Sequence, residues 1–262
     1  MKTELITSSQ NAQVKKWRLL NKSHADRQEQ GLFLAEGEHM AQEAVLSGKA
    51  NTLIVSEKAK DKFASLLQTA DLPLFVLSDH VFASLCDAKT PQGIIAVCSF
   101  DETSSLETLG NRIVCLNALQ DPGNVGTILR TMDAAGFTGL LMDAKTCDPF
   151  SPKALRASMG SIFRIPVYRA DDLCMTLERL QKLNFEILAG DLSGQPFFEP
   201  RKRSENTCII IGNEGAGIAP EVKEKATLRL KIPMMGGAES LNAAVAAAVM
   251  MYDDVRYRIT NP

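Results

Sequence analysis

The sequence is poor in the side chains that metal and triad chemistry needs. It has only three histidines (His24, His39 and His80), and all of them fall in the first third of its 262 residues. Chemistry in the C-terminal half therefore has no histidine base or ligand, which excludes a Ser-His-Asp triad and most zinc hydrolase sites there. The six cysteines are widely spaced and form no CxxC or Cys/His pair, so we expect neither a disulfide framework nor a metal site.

The chain also lacks a long apolar run. Its apolar stretches are interrupted by charge or glycine well before the roughly 20 residues that a membrane span needs. The N-terminus shows no apolar signal core. Both absences predict a cytoplasmic protein without a membrane segment. The net charge of −2 does not by itself indicate a nucleic-acid binder.

Positive charge is concentrated near the N-terminus, where only Glu4 and Asp26 oppose it. The basic residues of this stretch are Lys2, Lys15, Lys16, Arg18, Lys22 and Arg27. A basic helix can follow a phosphate backbone, and we predict RNA contacts by Lys15, Lys16 and Arg18. A solvated helix face accounts for the charge equally well.

Strand-like and helix-like segments alternate along the chain. LFLAEG, NTLIVS, PLFVLS and GIIAVCSF are typical of strands, and with the helices between them they predict a compact α/β domain over residues 1–100. We take residues 101–108 as a linker. Over 109–262, apolar strands such as RIVCLNAL and TCIII predict a mostly parallel sheet covered on both faces. We interpret NKSHADRQEQG as a polar stretch and DPGNVG as a loop.

Three loops in the C-terminal half form the candidate ligand site. They cover residues 120–126, 212–217 and 232–242, each after a predicted strand, where open α/β sheets usually bind ligands. Their glycines allow a close backbone approach, and Ser240 is a candidate cap of the last helix. GxxxxGK[ST] and a properly placed GxGxxG are both absent. Taken singly, each loop is explained as well by an ordinary turn.

Together, the loops resemble the three motifs of the SpoU (TrmH-like) RNA ribose 2′-O-methyltransferases. The matching residues are Asn124, Gly126 and Arg130 for N-x-G-x-x-x-R, Ile210, Gly212, Glu214 and Gly215 for I-x-G-x-E-G, and Ile232, Pro233, Met234, Ser240, Leu241 and Asn242 for I-P-M with S-L-N. The connecting SPKALRASMGSIFRIPV is also similar to the family. SSQNAQVKKWRLL, LFLAEGEHMAQEAV and TPQGIIAV resemble the RNA substrate-binding domain of its rRNA-directed members.

The resemblance implies an α/β protein with two parts. The C-terminal part would be a trefoil-knotted (SPOUT-type), mostly parallel sheet domain, an exception to the rule that chains avoid knots. The smaller N-terminal α/β part would resemble certain ribosomal proteins. The implied activity is S-adenosylmethionine-dependent 2′-O-methylation of an rRNA ribose without a metal, by a homodimer joined through its C-terminal domains.

Three alternatives to this activity are open. The substrate could be a tRNA, or the chain could be a non-catalytic RNA-binding or ribosome-assembly factor that keeps the fold. The intact motif side chains argue against the non-catalytic factor. A nicotinamide-dependent oxidoreductase on a doubly wound sheet lacks its GxGxxG fingerprint.

The resemblance also assigns roles to individual residues. The residues expected to contact the cofactor are Gly212, Ile232, Met234 and Leu241. The residues expected to have catalytic or positioning roles are Asn124, Arg130, Glu214, Ser240 and Asn242. Core residence is the alternative for Ile232 and Leu241, and a plain helix cap is the alternative for Ser240.

Arg130 carries the most specific expectation. A guanidinium stays protonated, so Arg130 is expected to clamp a phosphate and stabilise developing alkoxide charge. The alternative is a surface arginine paired with Asp133 or Asp121. Arg156 and Arg164 are candidates for further phosphate contacts or, equally, for structural salt bridges.

Overall fold

A computed structural model describes residues 5–100 and 105–261, which form two compact units. The first unit combines residues 5–100 with Phe150–Arg164, and the second combines residues 105–149 with 165–261. Lys2 and Glu4 of the basic N-terminus, and residues 101–104 of the proposed linker, lie outside the described residues. The domain boundaries drawn from the sequence stay a prediction.

The first unit is built on a mixed sheet. Its strands are β1 (Leu5–Ile6), β2 (Leu32–Glu36), β3 (Ala50–Ser56), β4 (Leu74–Leu77) and β5 (Ile94–Ser99). The helices between them are α1 (Ala12–Lys22), α2 (His24–Gln30), α3 (Glu38–Leu46), α4 (Ala64–Ala70) and α5 (Asp79–Ala83). The strand order is β1-β4-β3-β5-β2, with β5 antiparallel to both of its neighbours. The predicted α/β character is confirmed.

The basic helix α1 packs on this sheet through one apolar face. Val14, Trp17 and Leu20 recur every third residue and are at most 3% exposed. The Trp17 ring meets the ring of Phe75 on β4 edge to face, with centroids 5.1 Å apart. Lys15 and Lys16 fall between the buried positions and point to solvent.

The polar stretch NKSHADRQEQG is largely helical: its first two residues end α1, and its second part forms α2. The Ser23 hydroxyl caps that helix by accepting a hydrogen bond from the Asp26 backbone N–H at 3.1 Å. Gly31 ends the helix with φ +62°, which a glycine adopts at little cost. Arg27, one of the basic residues near the N-terminus, is only 4% exposed and donates to the backbone carbonyl of Leu20.

The second half of the chain adds a six-stranded sheet. Its strands are β6 (Arg112–Leu116), β7 (Gly139–Asp143), β8 (Val167–Ala170), β9 (Glu186–Pro196), β10 (Thr207–Ile211) and β11 (Leu228–Lys231). The helices of this half are α6 (Pro122–Ala135), α7 (Pro152–Ser158), α8 (Leu173–Lys182), α9 (Pro220–Lys223) and α10 (Ala243–Thr260).

Every strand pair in this sheet is parallel, and the order is β11-β9-β10-β6-β7-β8. β7 and β10 are buried along their whole length, as expected for a parallel sheet covered on both faces. The carboxyl ends of the strands share one edge, so the loops that follow β6, β10 and β11 meet there. The predicted parallel sheet is confirmed, whereas the knot stays a prediction.

Helix α6 begins earlier than expected. DPGNVG was interpreted as a loop, but Pro122 is already the first helical residue. The Asp121 carboxylate accepts from the Gly123 backbone N–H at 2.7 Å, and proline suits the first helical position because its missing N–H needs no partner there. Asn124 therefore lies on the first turn of a helix, with its side chain held in a fixed direction.

Helix α10 has a different cap from the one expected. The Asn242 side-chain oxygen, and not Ser240, accepts from the backbone N–H groups of Ala244 at 2.9 Å and Val245 at 3.3 Å. Ser240 lies two residues before the cap and is exposed. The prediction of Ser240 as the helix cap is wrong, because the helix begins only at Ala243 and Asn242 occupies the cap position.

The C-terminal half of α10 carries a buried ionic network. The Asp254 side chain is 2% exposed and accepts from Arg112 and Arg258, each at 2.8 Å. Its neighbour Asp253 is paired with Arg203 and Arg256. Within residues 5–100 and 105–261, no helix combines the length and apolar character needed to cross a bilayer.

The segment Phe150–Arg164, which contains α7, packs within the first unit although it follows β7 in the chain. The Phe150 ring stacks on Phe100 with centroids 4.3 Å apart, and Phe163 stacks on Phe33 at 5.9 Å. Such ring pairs add to the free energy of apolar burial. The segment that resembles the family's connecting motif is thus part of the N-terminal core.

Candidate active site

The loop after β6 is fastened to its neighbours by Asn117. Its backbone N–H donates to the Ile211 carbonyl at 2.9 Å, and its side chain donates to Asp143 at 2.9 Å and accepts from the Ala219 N–H at 2.8 Å. Asn117 and Asp143 are buried, and their polar groups satisfy one another. This places the first candidate loop against the ends of β7 and β10.

Glu214, in the loop after β10, holds the start of α6. Its carboxylate accepts from the backbone N–H groups of Gln120 at 3.2 Å and Asp121 at 3.0 Å, and from the Asn124 side chain at 2.9 Å. Partial burial raises the pKa of the Glu214 carboxyl, but the hydrogen bond from Asn124 and those from the backbone lower it more. The pKa lies below its usual value, so the group is charged at neutral pH.

Asn124 extends this contact to the third loop. Its side-chain oxygen accepts from the Asn242 amide at 3.0 Å, and the Asn242 oxygen caps α10. Because a carboxylate can only accept, Asn124 must turn its NH₂ to Glu214 and its oxygen to Asn242. The three candidate loops are therefore joined by a chain of hydrogen bonds in which Asn242 donates to Asn124 and Asn124 donates to Glu214. The sequence had placed these three residues in one site, and the structure brings them together.

A cavity of about 370 Å³ lies beside this chain, within the range of small-molecule sites. All four predicted cofactor residues line it, together with two of the predicted catalytic residues: Gly212, Ile232, Met234, Leu241, Glu214 and Ser240. Ile232, Met234 and Leu241 are half-buried, so they form cavity wall and not closed core. Asn124, Asn242 and Arg130 are not among the lining residues.

Gly212 is required by the shape of its own loop. A Cβ there would lie 2.3 Å from the Gly217 carbonyl carbon and 2.4 Å from the Ile218 nitrogen, and neither backbone atom can move aside easily. The loop closes at this point through paired backbone hydrogen bonds between Asn213 and Gly217, both at 2.9 Å. A side chain at position 212 would push the two limbs of the loop apart.

We therefore expect Gly212→Ala to weaken S-adenosylmethionine binding about 10- to 100-fold, the equivalent of a strain of about 1–3 kcal/mol. Gly215→Ala in the same loop is the matched control, since its Cβ would meet only the Asn213 Oδ1 at 3.7 Å. Calorimetric titration of both variants measures the difference. Equal affinities in the two variants would show that loop closure does not shape the cavity.

Arg130 lies on α6 with its side chain exposed. In the part of the chain that the structure describes, its guanidinium has no hydrogen-bond or ion-pair partner, so it is paired with neither Asp133 nor Asp121. An exposed, unpaired guanidinium is free to meet an anionic ligand, for which its planar fork is suited.

The residues predicted to contact RNA all lie in the first unit. Lys15 and Lys16 are exposed on α1, and Arg18 donates to the Ser84 hydroxyl at 2.8 Å. Arg156 and Arg164 form ion pairs with Asp87 and Glu43, respectively. Both pairs are partly exposed. Of the two roles predicted for Arg156 and Arg164, phosphate contacts and structural salt bridges, the structure shows the salt bridges.

Several residues of the site were not predicted from the sequence. Asn117 directly follows a buried strand, and ligand sites of open α/β sheets lie at such positions. This position is the sequence signal by which Asn117 could have been identified. Asn213 donates to the Ala118 carbonyl and accepts from the Gly215 and Ala216 N–H groups, each at 2.9 Å. Asp191 and Lys223 also line the cavity, and no sequence signal marked either.

Comparison with known proteins agrees with this geometry. The SpoU rRNA Methylase family model matches residues 111–252, and the MRM3-like substrate binding domain matches residues 11–96. The 23S rRNA (guanosine(2553)-2′-O)-methyltransferase RlmP of Bacillus subtilis (strain 168) is 37% identical over 248 residues, covering 94% of this chain and 97% of that protein.

Solved structures give the same result. The SpoU methyltransferase AviRb from Streptomyces viridochromogenes, in complex with AdoMet, superposes with a TM-score of 0.89 at 27% identity, covering 97% of this chain and 100% of that one. An AdoMet-bound rRNA methyltransferase from Sinorhizobium meliloti gives a TM-score of 0.85 at 30% identity, over 98% and 99% of the two chains.

The family match spans more than half of the 262 residues and includes all three loops of the site. The resemblance seen in the motifs is thereby confirmed over both halves of the chain. This chain belongs to the SpoU rRNA methylase family and is an S-adenosylmethionine-dependent RNA methyltransferase.

Proposed function

We propose that the protein methylates the 2′-hydroxyl of a ribose in 23S rRNA. The observation that carries this proposal is the chain from Glu214 through Asn124 to Asn242, which joins the three motif loops beside one cavity. The choice of 23S rRNA is supported by the substrate in the name of the Bacillus subtilis relative. The match of residues 11–96 to the MRM3-like substrate binding domain supports a substrate-binding role for the first unit.

The cavity suits S-adenosylmethionine in shape and charge. Ile232, Met234 and Leu241 offer apolar surface to an adenosine, and the glycines of the second loop expose backbone groups to it. Asp191, Glu214 and Glu239 outnumber Lys223 among the charged lining residues, which suits a ligand with a positively charged sulfonium. We assign cofactor binding to Gly212, Ile232, Met234 and Leu241.

When bound, the cofactor supplies an electrophilic methyl group. The ribose oxygen forms the new O–CH₃ bond, the S–CH₃ bond breaks with its electron pair left on sulfur, and the hydroxyl proton passes to solvent. Such a displacement depends chiefly on alignment. We assign alignment to Asn124, Glu214, Ser240 and Asn242, and we assign to Arg130 the clamping of the target phosphate and the stabilisation of charge on the oxygen.

Further proposals concern the assembly. We infer a homodimer through the C-terminal domain, where Val245, Tyr252 and Ile259 form an exposed apolar stripe at seven-residue spacing on α10. Ala243, Ala244 and Ala247 are buried within the unit, so part of the small-residue stretch packs internally. We also propose that the two domains are divided near residue 100, that the C-terminal domain is knotted, and that the protein is cytoplasmic.

Incubation of the purified protein with methyl-labelled S-adenosylmethionine and separated RNA classes tests the function. We expect label in 23S rRNA, released by nuclease digestion as a 2′-O-methylnucleoside. Label confined to tRNA would favour the tRNA alternative. Cofactor binding without transfer to any RNA would favour a non-catalytic assembly factor, and label in protein or DNA alone would refute RNA methylation.

A further inference from the structure

An irregularity in β9 brings an acidic residue into the cavity. β9 pairs with β11 at Ala189, but the next pair along β11 is Leu230 with Gln195, so residues 190–194 of β9 are passed over. Gly194 lies against β11, where a Cβ would be 2.6 Å from the Arg229 carbonyl carbon. Bulges of this kind re-aim side chains next to active sites. Here the bulge directs residues 190–192 to the cavity wall.

The carboxylate of Asp191 is buried, with hydrogen bonds to one oxygen and an ion pair at the other. Its Oδ1 accepts from the backbone N–H and the hydroxyl of Ser193, both at 3.1 Å. Its Oδ2 is buried without a hydrogen-bond partner, and the side chain is 6% exposed. Lys223 Nζ lies 3.3 Å from Oδ2 and forms an ion pair with it. The ammonium of Lys223 compensates part of the cost of burying this charge, and a positively charged ligand in the cavity would compensate more of it.

The carboxylate stays charged under ordinary conditions. Burial raises the pKa of Asp191, but the hydrogen bonds from Ser193 and the positive charge of Lys223 lower it more, so the pKa lies below its usual value. The other acidic lining residues differ from it. Glu214 is occupied by three donors from the first loop, and Glu239 is exposed to solvent, where its charge is screened.

We propose that Asp191 is a specificity residue that makes the cavity prefer the positively charged methyl donor over the neutral product of transfer, with Lys223 setting the strength of that preference. This inference rests on the proposed function. Methyl transfer removes the sulfonium charge and leaves the rest of the ligand unchanged. The attraction to a buried, fixed carboxylate is then lost, which favours release of S-adenosylhomocysteine and limits product inhibition.

Calorimetric titration with three ligands tests the proposal. The probes are S-adenosylmethionine, S-adenosylhomocysteine and sinefungin, in which an ammonium group stands in place of the sulfonium. For Asp191→Asn we expect S-adenosylmethionine and sinefungin to bind about 10- to 100-fold more weakly, the range of a hydrogen bond or contact to a charged group. The affinity for S-adenosylhomocysteine should change little.

Lys223→Gln is the opposite variant. It removes the cation that partly neutralises Asp191, so the preference for S-adenosylmethionine over S-adenosylhomocysteine should rise. Equal losses for all ligands with Asp191→Asn would show that the carboxylate binds a group common to donor and product, and an unchanged preference in both variants would show that it has no role. Either result overturns the inference.

The proposed function and the role of Asp191 can be contradicted separately. The affinity of the unmodified protein for S-adenosylmethionine tests the proposed function, whereas the ratio of donor to product affinity in the variants tests Asp191. Asp191→Asn keeps the acceptor for Ser193, and its fold is checked by thermal melting. If Asp191→Asn does not fold, Lys223→Gln alone tests the proposal. An unchanged ratio of donor to product affinity in Lys223→Gln would then contradict it.

Discussion

Arg130→Ala is expected to lower the rate of methyl transfer to RNA by at least about 100-fold, the usual cost of removing one charge-stabilising donor. Binding of S-adenosylmethionine should remain unchanged, because Arg130 does not line the cavity. Its guanidinium is exposed and has no partner among the described residues, so its loss disturbs no internal contact. Single-turnover transfer and calorimetric titration measure the two quantities on the same preparation.

Two further variants sharpen this test. Arg130→Lys keeps the charge but not the planar fork, so its rate should fall between those of the parent and the alanine variant. Arg179→Ala removes another exposed arginine of the same unit, one that is paired with Glu107 at 3.1 Å, and should leave transfer unaffected. Normal transfer by Arg130→Ala, or a parallel loss of cofactor binding, would contradict the role assigned to Arg130.

The largest expected effect on stability comes from Asp254→Ala. Asp254 is 2% exposed and neutralises Arg112 and Arg258, each at 2.8 Å. Removing it leaves those guanidinium groups without a buried counter-charge, which typically costs about 3–5 kcal/mol of unfolding free energy. Arg112 starts β6, so the loss reaches the centre of the parallel sheet. Urea unfolding followed by circular dichroism measures it.

Arg256→Ala is the control for this measurement. It removes an ion pair from the same helix, but the Arg256 side chain is 64% exposed, so the expected cost is at most about 1 kcal/mol. Trp17, the single tryptophan, belongs to the first unit, and its fluorescence reports that unit separately. Equal destabilisation by the two substitutions would show that the network around Asp254 contributes nothing special.

The parts of the fold that were predictable are those governed by periodicity. Buried strands such as Thr207–Ile211 are continuous apolar runs, and a run of that kind followed by a helix specifies a parallel sheet. A parallel sheet in turn predicts that the three motif loops meet, because the carboxyl ends of its strands share an edge. Their chemistry came from the motif resemblance, which paired Asn124, Glu214 and Asn242 before any contact was known.

The features that were missed depend on contacts distant in sequence. Pro122 starts a helix where the letters DPGNVG are typical of a turn, because Asp121 caps that helix and Glu214, 93 residues after Asp121, accepts from the two backbone N–H groups that precede it. Asp191 enters the cavity only because β9 slips past β11, and no local pattern encodes that slip. The docking of Phe150–Arg164 on the first unit likewise depends on rings such as Phe33, far away in the chain.

Mapping 2′-O-methylation across the RNA of a strain that lacks this protein tests the central claim most directly. We expect the loss of a ribose methyl group from 23S rRNA, restored by the parent protein but not by Arg130→Ala. An RNA methylation pattern identical with and without the protein, or restoration by the Arg130→Ala variant, would contradict it.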